Sequence, residues 1–559
     1  MHLRKLMTMV LVSIVLPIVN AGQKSDQEIL EVRMFIREHI GHTVKECKKD
    51  TLGHIALPKP YSVPSLNGVF DKDMFYWDTY FTNIALISDS DFMQARNNVD
   101  NILFLIDKYG FMPNGSNVIY LDRSQPPFAS MMVRDIYEIN KDKKWLASAC
   151  RILEKEYKFW MKQRITPTGL NRYSNHTTKD QLYSFYEYMK SRFPDLPVLA
   201  DSVEILKQAS HFVAEAESGW DFTPRFNFRC EDFNPVDLNA NLYLYEKNFA
   251  YFYKELNKKG SDKWLKAADK RKKLLNKYCC NPQDGCFYDY DFVNNRLSPV
   301  YSSAVFNLLW SEALTPSQAG KVVENLQRLE YPCGVAACER VERERAYQWD
   351  YPNAWASFNV MAIGGLDNYG FKDDAHRIAR KYVDSIVGIY QQTGNLWEKF
   401  NAEHGNLEVN NEYEMPPFMG WTAGAFIYAS DYLDRTAPHP DPNFYIYLCL
   451  GQSNMEGRSP VEPVDYDNIP ERFRLLPTVD FSSPTRTKGV WCDAVPPLVH
   501  EGSGISLIDY FGRTMEENLP HKGDRLHFTS HSYRVLGCRY AVEMLSLMGI
   551  TDPKVKYTE

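Results

Sequence analysis

Beyond its first two dozen residues the chain has no run near the roughly 18 apolar residues of a membrane helix, so a soluble mature protein is expected. A basic excess is also missing: 64 lysines and arginines face 71 aspartates and glutamates, for a net charge of −7 over 559 residues. That balance gives no electrostatic footprint for nucleic acid. No Cys-x-x-Cys pair occurs, which removes the usual zinc framework, and nothing else in the chain calls for a metal or an organic cofactor. The eleven cysteines are odd in number and scattered from Cys47 to Cys538. Cys279, Cys280 and Cys286, and Cys333 with Cys338, lie close enough to pair in an oxidising compartment. Buried free thiols are the equal alternative, because connectivity is not legible in sequence.

What is present begins with an export signal. Arg4 and Lys5 precede an apolar run from Leu6 to Val19, and Val19-Asn20-Ala21 offers a small-residue cleavage site. Residues 1–21 read as a signal peptide, with an uncleaved anchor as the alternative, and a secreted or periplasmic location follows. The remainder is too long for one ordinary core, so at least two domains are expected. Aromatic residues make up 14% of the chain, including 35 tyrosines and 11 tryptophans, and can serve either as core or as platforms for sugar rings.

Helical periodicity runs almost unbroken from about residue 25 to 436. Ser25-Asp26-Gln27-Glu28 has the form of a capping box, followed by Ile29, Leu30, Val32, Phe35, Ile36 and Ile40 at helical spacing. Residues 92–109 put Val99, Ile102, Leu103 and Ile106 on one stripe, with Gly110 as the stop. Similar stripes recur near 144–162, 203–216, 238–257, 301–312, 317–329, 371–390 and 421–434. Many amphipathic helices with few strand signals predict a mainly α domain over 22–435. Residues 436–443 form a Pro-rich linker, after which the apolar, β-prone stretch 444–450 leads into Gly451-Gln452-Ser453-Asn454-Met455. A separate, smaller α/β segment is expected over 444–559.

Five blocks, 68–81, 112–128, 217–226, 348–356 and 395–426, gather carboxylates, arginines and aromatics and read as loops. Glycoside hydrolysis needs one protonated acid for the leaving oxygen and a second carboxylate as base or nucleophile. Arginine and asparagine can grip hydroxyls, and tryptophan packs on ring faces. In their order along the chain these blocks resemble the trehalase family, glycoside hydrolase family 37, over about residues 30–434. The resemblance implies an (α/α)6 toroid and an inverting mechanism. The acid then protonates the bridging oxygen while the base activates water on the opposite face, with the carboxyls roughly 6.5–9.5 Å apart.

Carried over by motif, the resemblance makes Asp221 the acid and Glu398 the base, with Glu412 as a sugar ligand and fallback base. Asn114 and Arg123 fall on sugar-contacting positions, and Trp77 and Trp349 on tryptophans lining the pocket. Each has a structural alternative. Asp221 could cap a helix or pair with Arg225, and Glu398 could be an exposed helical glutamate paired with Lys399. Arg123 could sit in a salt bridge, and the tryptophans could be core. Asp78 and Asp350, which follow the two tryptophans, are expected to fix loops by hydrogen bonds.

The chain also departs from the family. Where the first signature places an arginine and a glutamate, Phe70 and Asp73 stand. The Arg-Pro-Glu-Ser loop expected after Leu170-Asn171-Arg172-Tyr173 is absent, and residues 174–193 run in its place. A glycine of the late tryptophan block is Ala354. Sites built to hydrogen-bond sugar hydroxyls discriminate strongly, so a small carbohydrate is the expected partner while its identity stays open between trehalose and another α-glycoside.

In the C-terminal segment, Ser453 in its tight turn and Asp524 with His527 resemble SGNH-type esterases of the sialate O-acetylesterase and acetyl-xylan esterase group. The resemblance implies Ser453 as nucleophile, His527 as base and Asp524 as orienting acid. The middle blocks with oxyanion donors are missing, so a truncated, incomplete domain is expected. Three functions are thus compatible with the sequence: an inverting α-glycosidase, a catalytically inactive carbohydrate-binding toroid, or a C-terminal carbohydrate O-acetylesterase.

Overall fold

The computed structural model describes residues 24–88, 91–343, 345–436 and, with short gaps, 460–504. The chain divides into two compact units, Met1–Ala437 and Pro438–Glu559. The signal-peptide residues 1–21, the linker beyond Thr436, and Ser453, Asp524 and His527 lie outside the described residues.

The first unit is a double ring of helices. Six of them, Tyr76–Ser88, Ala129–Asn140, Val236–Glu255, Val305–Trp310, Ala356–Asn368 and Gly420–Thr436, pack side by side as an inner ring. Six others, Asp26–His39, Phe92–Tyr109, Lys143–Gln163, Ser261–Cys279, Pro316–Glu324 and Lys372–Thr393, alternate with them in sequence and pack outside. The outer helices are amphipathic, and four of the six start on a side-chain cap. Ser25 and Glu28 form the capping box of Asp26–His39, and Asp142 caps Lys143–Gln163. Gly110 ends Phe92–Tyr109 with φ of +85°, a left-handed conformation that costs glycine nothing.

Several inner helices are buried on most sides, as a helix surrounded by others is. That explains a difference from the sequence expectation. Block 68–81, read as a loop, enters a helix at Tyr76, and Tyr76–Ser88 buries residues all round its axis, so no polar stripe marks it. Ala356–Asn368 is another such helix.

The ring closes where the last inner helix meets the first. Gly424 lies so close to Tyr76–Ser88 that a Cβ there would stand 1.8 Å from the Phe81 carbonyl oxygen. Backbone cannot yield as a side chain can, so Gly424→Ala is expected to destabilise the unit by more than the usual overpacking cost of about 1–3 kcal/mol. A thermal melt of the purified variant checks this, and an unchanged melting temperature refutes it.

Between Lys143–Gln163 and Val236–Glu255 the chain inserts two further helices, Lys179–Arg192 and Ser202–Ser218, packed on each other. Behind the site, Arg225 is fully buried and donates to Asp237 at 2.8 Å and to Asp289 at 2.9 Å. Arg225 is therefore spent on the frame and does not pair with Asp221. In the second unit the described residues form short β-pairs, Arg474–Leu475 with Cys492–Asp493 and Phe481–Ser482 with Thr485–Arg486. All nine described cysteines are free thiols, among them Cys279, Cys280, Cys286, Cys333 and Cys338, so the short-range pairings suggested by sequence do not form.

Candidate active site

The loops at one end of the inner helices bring the sequence-selected residues together. Asp221 follows the helix Ser202–Ser218 and is partly open to solvent. Burial raises its carboxyl to about 6, opposed by the positive charges of Arg192 and Arg123 and assisted by the negative charge of Glu398. A carboxyl lifted in this way can hold a proton near neutral pH, as a general acid requires.

Glu398 is buried at 2% exposure, just before the strand Lys399–Asn401, and not on an exposed helix. One carboxylate oxygen accepts from the Lys399 ammonium at 2.7 Å, and the other accepts from the Tyr413 hydroxyl at 2.7 Å. The indole N–H of Trp421 donates to the Glu398 carbonyl at 3.1 Å, fixing the backbone as well. Lys399 is itself fully buried and lies over the Trp355 ring. A short relay joins the two carboxyl positions. Lys399 also reaches the Gln348 side-chain oxygen at 3.4 Å, and Gln348 donates from its nitrogen to the Asp221 carbonyl at 2.8 Å.

Glu412 is pinned by an ion pair with Arg192 and by the Phe222 backbone N–H at 3.3 Å. Burial lifts its carboxyl to about 8, with Arg192 working against the rise. Asn114 spends its side-chain N–H groups on the carbonyls of Ser124 and Ala216, both at 3.3 Å, which leaves its carbonyl oxygen to meet a hydroxyl. Arg123 pairs with Asp122 at 2.7 Å and lies over Tyr120, yet its Nε is buried without a partner. Buried Glu217 holds this loop in place, accepting from the Ser124 and Ser174 backbones while it pairs with Arg164.

The tryptophans form a cluster. Trp349 stacks on Trp355 with centroids 3.6 Å apart, and it stands 5.6 Å from both Trp77 and Trp220. Trp77 and Trp349 are both buried, so the core alternative describes much of their surface. Asp350 fixes its loop as expected, accepting from Arg343 at 2.6 Å and from the Tyr351 N–H at 2.8 Å. Asp78 behaves differently. Burial, assisted by the negative charges of Glu398 and Asp221, raises it to about 7, so it is a fourth carboxyl of the site. Phe70, at the missing arginine's position, packs edge-on against Phe75 and Tyr413. Asp73 turns to His54 at 2.7 Å and Asn117 at 3.2 Å.

Among the described residues no cluster of potential metal ligands occurs, and no helix is long and apolar enough to cross a membrane. A trehalase family model matches residues 26–434. The chain belongs to the trehalase family. The trehalase of Tenebrio molitor is 29% identical over 423 residues, covering 68% of this chain and 74% of its own length. A periplasmic trehalase of Pseudomonas aeruginosa is 31% identical over 399 residues, covering 66% and 70%. A solved neutral trehalase of Saccharomyces cerevisiae superposes with a TM-score of 0.58 at 26% identity, over 73% of this chain and 80% of that one. A mannosylglycerate hydrolase of Thermus thermophilus shares the fold alone, at TM-score 0.50 and 16% identity over 71% of this chain and 100% of its own. Family membership and the double helical ring together place the chain among (α/α)6 toroid glycosidases.

Residues that sequence reasoning missed lie between the recognised ones. Arg192, Gln348, Tyr413 and Trp421 all contact the carboxyl groups or their backbone. Gln348 and Trp421 sit inside recognised blocks, whereas Arg192 sits in the stretch that had no motif to mark it.

Proposed function

We propose that this trehalase-family protein is an inverting glycosidase that hydrolyses α,α-trehalose to two glucose molecules, with Asp221 as acid and Glu398 as base. The observation that carries the assignment is the contrast between the two carboxyls. Asp221 is desolvated and has no ion-pair partner within hydrogen-bonding distance, while Glu398 sits against a buried ammonium and a tyrosine hydroxyl. Neighbouring carboxyls placed in opposed environments are the usual basis for separate acid and base roles.

In this reaction Asp221 gives its proton to the bridging oxygen as the bond to the anomeric carbon breaks. A water on the opposite face attacks that carbon and passes a proton to Glu398. The proton gained by Glu398 and the one lost by Asp221 re-equilibrate through solvent, so the cycle closes without a cofactor. Asn114, Arg123 and Glu412 bind hydroxyls, and Trp77 and Trp349 form the apolar wall. The export signal at 1–21 and relatives described as periplasmic support an exported enzyme acting on a free disaccharide. The esterase-like pattern of Ser453, Asp524 and His527 has no part in this reaction.

Purified protein incubated with trehalose and followed by proton NMR tests the proposal. Inversion at the attacked carbon releases one β-glucose, while the leaving glucose keeps its α configuration. Equal initial appearance of both anomers is the expected result. Two α anomers would indicate retention, and no release would leave the inactive binding toroid, a reading that Phe70 in place of an arginine favours.

A further inference from the structure

Residues 174–193, which replace the Arg-Pro-Glu-Ser loop, fold into a helix capped by Thr178 and Gln181 and ending at Arg192. That end of the helix sits at the site. Arg192 ion-pairs Glu412, whose other oxygen is held by the Phe222 N–H. Its guanidinium lies 5.7 Å from the Phe222 ring and 5.9 Å from those of Phe193 and Tyr188, an aromatic collar that fixes its position. The Arg192 Nε is buried and has no partner. Next to this loop, Arg345 pairs with Asp195 and lies over Phe193 and Phe228, tying the segment that follows the helix to the loop before Gln348.

We propose that Arg192 is a substrate-binding, specificity-determining residue, in which the guanidinium and Glu412 together grip a vicinal diol of the sugar. The inference rests on the glycosidase reading of the site. A guanidinium only donates hydrogen bonds, and both Glu412 oxygens accept them, one from Arg192 and the other from the Phe222 N–H. Side by side they offer one donor and one acceptor to two adjacent hydroxyls, the pattern of a pyranose diol. An unpaired, desolvated Nε has an unmet demand for an acceptor, and a hydroxyl oxygen meets it. The helix thus restores a positive, forked contact that Phe70 and the missing loop remove from the site. Lysine, a point charge without the fork, reproduces the charge only.

Steady-state kinetics on trehalose for wild type, Arg192→Lys and Arg192→Ala test the inference, with thermal melts and calorimetric titration of glucose on each. Arg192→Ala is expected to raise KM at least about 10-fold and to lower kcat/KM by about 10²-fold, with Arg192→Lys recovering only part. A merely structural arginine would leave KM and glucose binding of the folded variant unchanged, whereas its charge acts on Asp221 in either case. Asp221 faces Arg192 and Arg123 on the positive side and Glu398, Asp78 and Glu215 on the negative, and Glu412 faces Arg192, Lys399 and Asp221. Removing Arg192 tilts this balance toward protonation, so the alkaline limb of kcat/KM moves to higher pH.

Wild-type KM in a folded Arg192→Ala overturns the inference and leaves the trehalase reading intact. If the alanine variant fails to fold, the lysine variant carries the test, and wild-type KM in it overturns the inference. If wild type leaves trehalose uncut, the trehalase reading falls, and glucose titration decides on Arg192. Loss of glucose binding in the variants upholds it, whereas equal binding, or no binding by wild type, overturns it.

Discussion

Replacement of Asp221 by Asn is expected to lower kcat on trehalose by about 10²–10⁴-fold, the usual contribution of a positioned general acid. The amide is close to the carboxyl in size and keeps the side chain in its desolvated niche, but it has no proton to give. Trehalose has two poor alkoxide leaving groups, so the loss should fall on kcat, with KM little changed. The Asp221 carboxyl titrates at about 6 because burial outweighs the pull of Arg192 and Arg123. Its protonated form is the active one. The wild-type rate therefore falls as pH rises through about 6, and this limb is absent from the residual activity of Asp221→Asn. A pH–rate profile of both proteins checks the sign: a limb that survives in the variant assigns it to another group. Glu412, raised to about 8, and Asp78, raised to about 7, are the groups to replace next.

Having several raised carboxyls in one place has a physical reason. Glu215, Asp221 and Glu412 lie near one another, and Glu215 is wholly buried, well above its ordinary range. Each negative charge makes the next harder to keep. Protons are thus distributed over a cluster, and the positive charges of Arg192 and Arg123 oppose the rise at Asp221, as that of Arg192 does at Glu412. Lys399 holds Glu398 by a hydrogen bond, while Arg192 pairs with Glu412 and faces Asp221. Charge placement, more than any one catalytic residue, distinguishes the acid from the base.

Most of the outer ring, Ser261–Cys279 excepted, was legible from sequence because its helices face water on one side. Ser25 with Glu28, the stripe from Val99 to Ile106 and the stop at Gly110 are local signals, and the structure reproduces each. Of the inner ring, the helices near 238–257, 301–312 and 421–434 were also legible, but one buried all round, such as Tyr76–Ser88, loses the periodicity that marks a helix. At the site, blocks of consecutive residues carried Asp221, Glu398 and Glu412 to one place. Arg192 was not legible, because its partner Glu412 is 220 residues distant and no motif surrounds it. Asp78 and Asp350 each follow a tryptophan and carry the same expectation from sequence, that of fixing a loop. Only the fold shows that Asp78 lies within the field of Asp221 and Glu398, while Asp350 turns to Arg343.

Glu398→Gln is expected to cost a similar factor, about 10²–10⁴ in kcat, through the opposite half of the reaction. An amide oxygen still accepts from Lys399 or Tyr413, so the local hydrogen bonds survive in part, but glutamine cannot take a proton from the attacking water. The defect is therefore one of nucleophile activation alone. A small anion that needs no deprotonation should bypass it: azide attacks the anomeric carbon directly while Asp221 still protonates the leaving oxygen. The expected products are β-glucosyl azide and α-glucose, formed at a rate that rises with azide concentration. Asp221→Asn should show no such rescue, because its missing proton belongs to the leaving group. The same assay applied to Glu412→Gln separates the two glutamates. Azide rescue there, and none in Glu398→Gln, would transfer the base to Glu412. A raised KM without rescue keeps Glu412 as the acceptor that works beside Arg192. One buried ammonium makes the distinction physical: Lys399 donates to Glu398 at 2.7 Å and fixes its carboxyl in place, whereas Glu412 is held by Arg192.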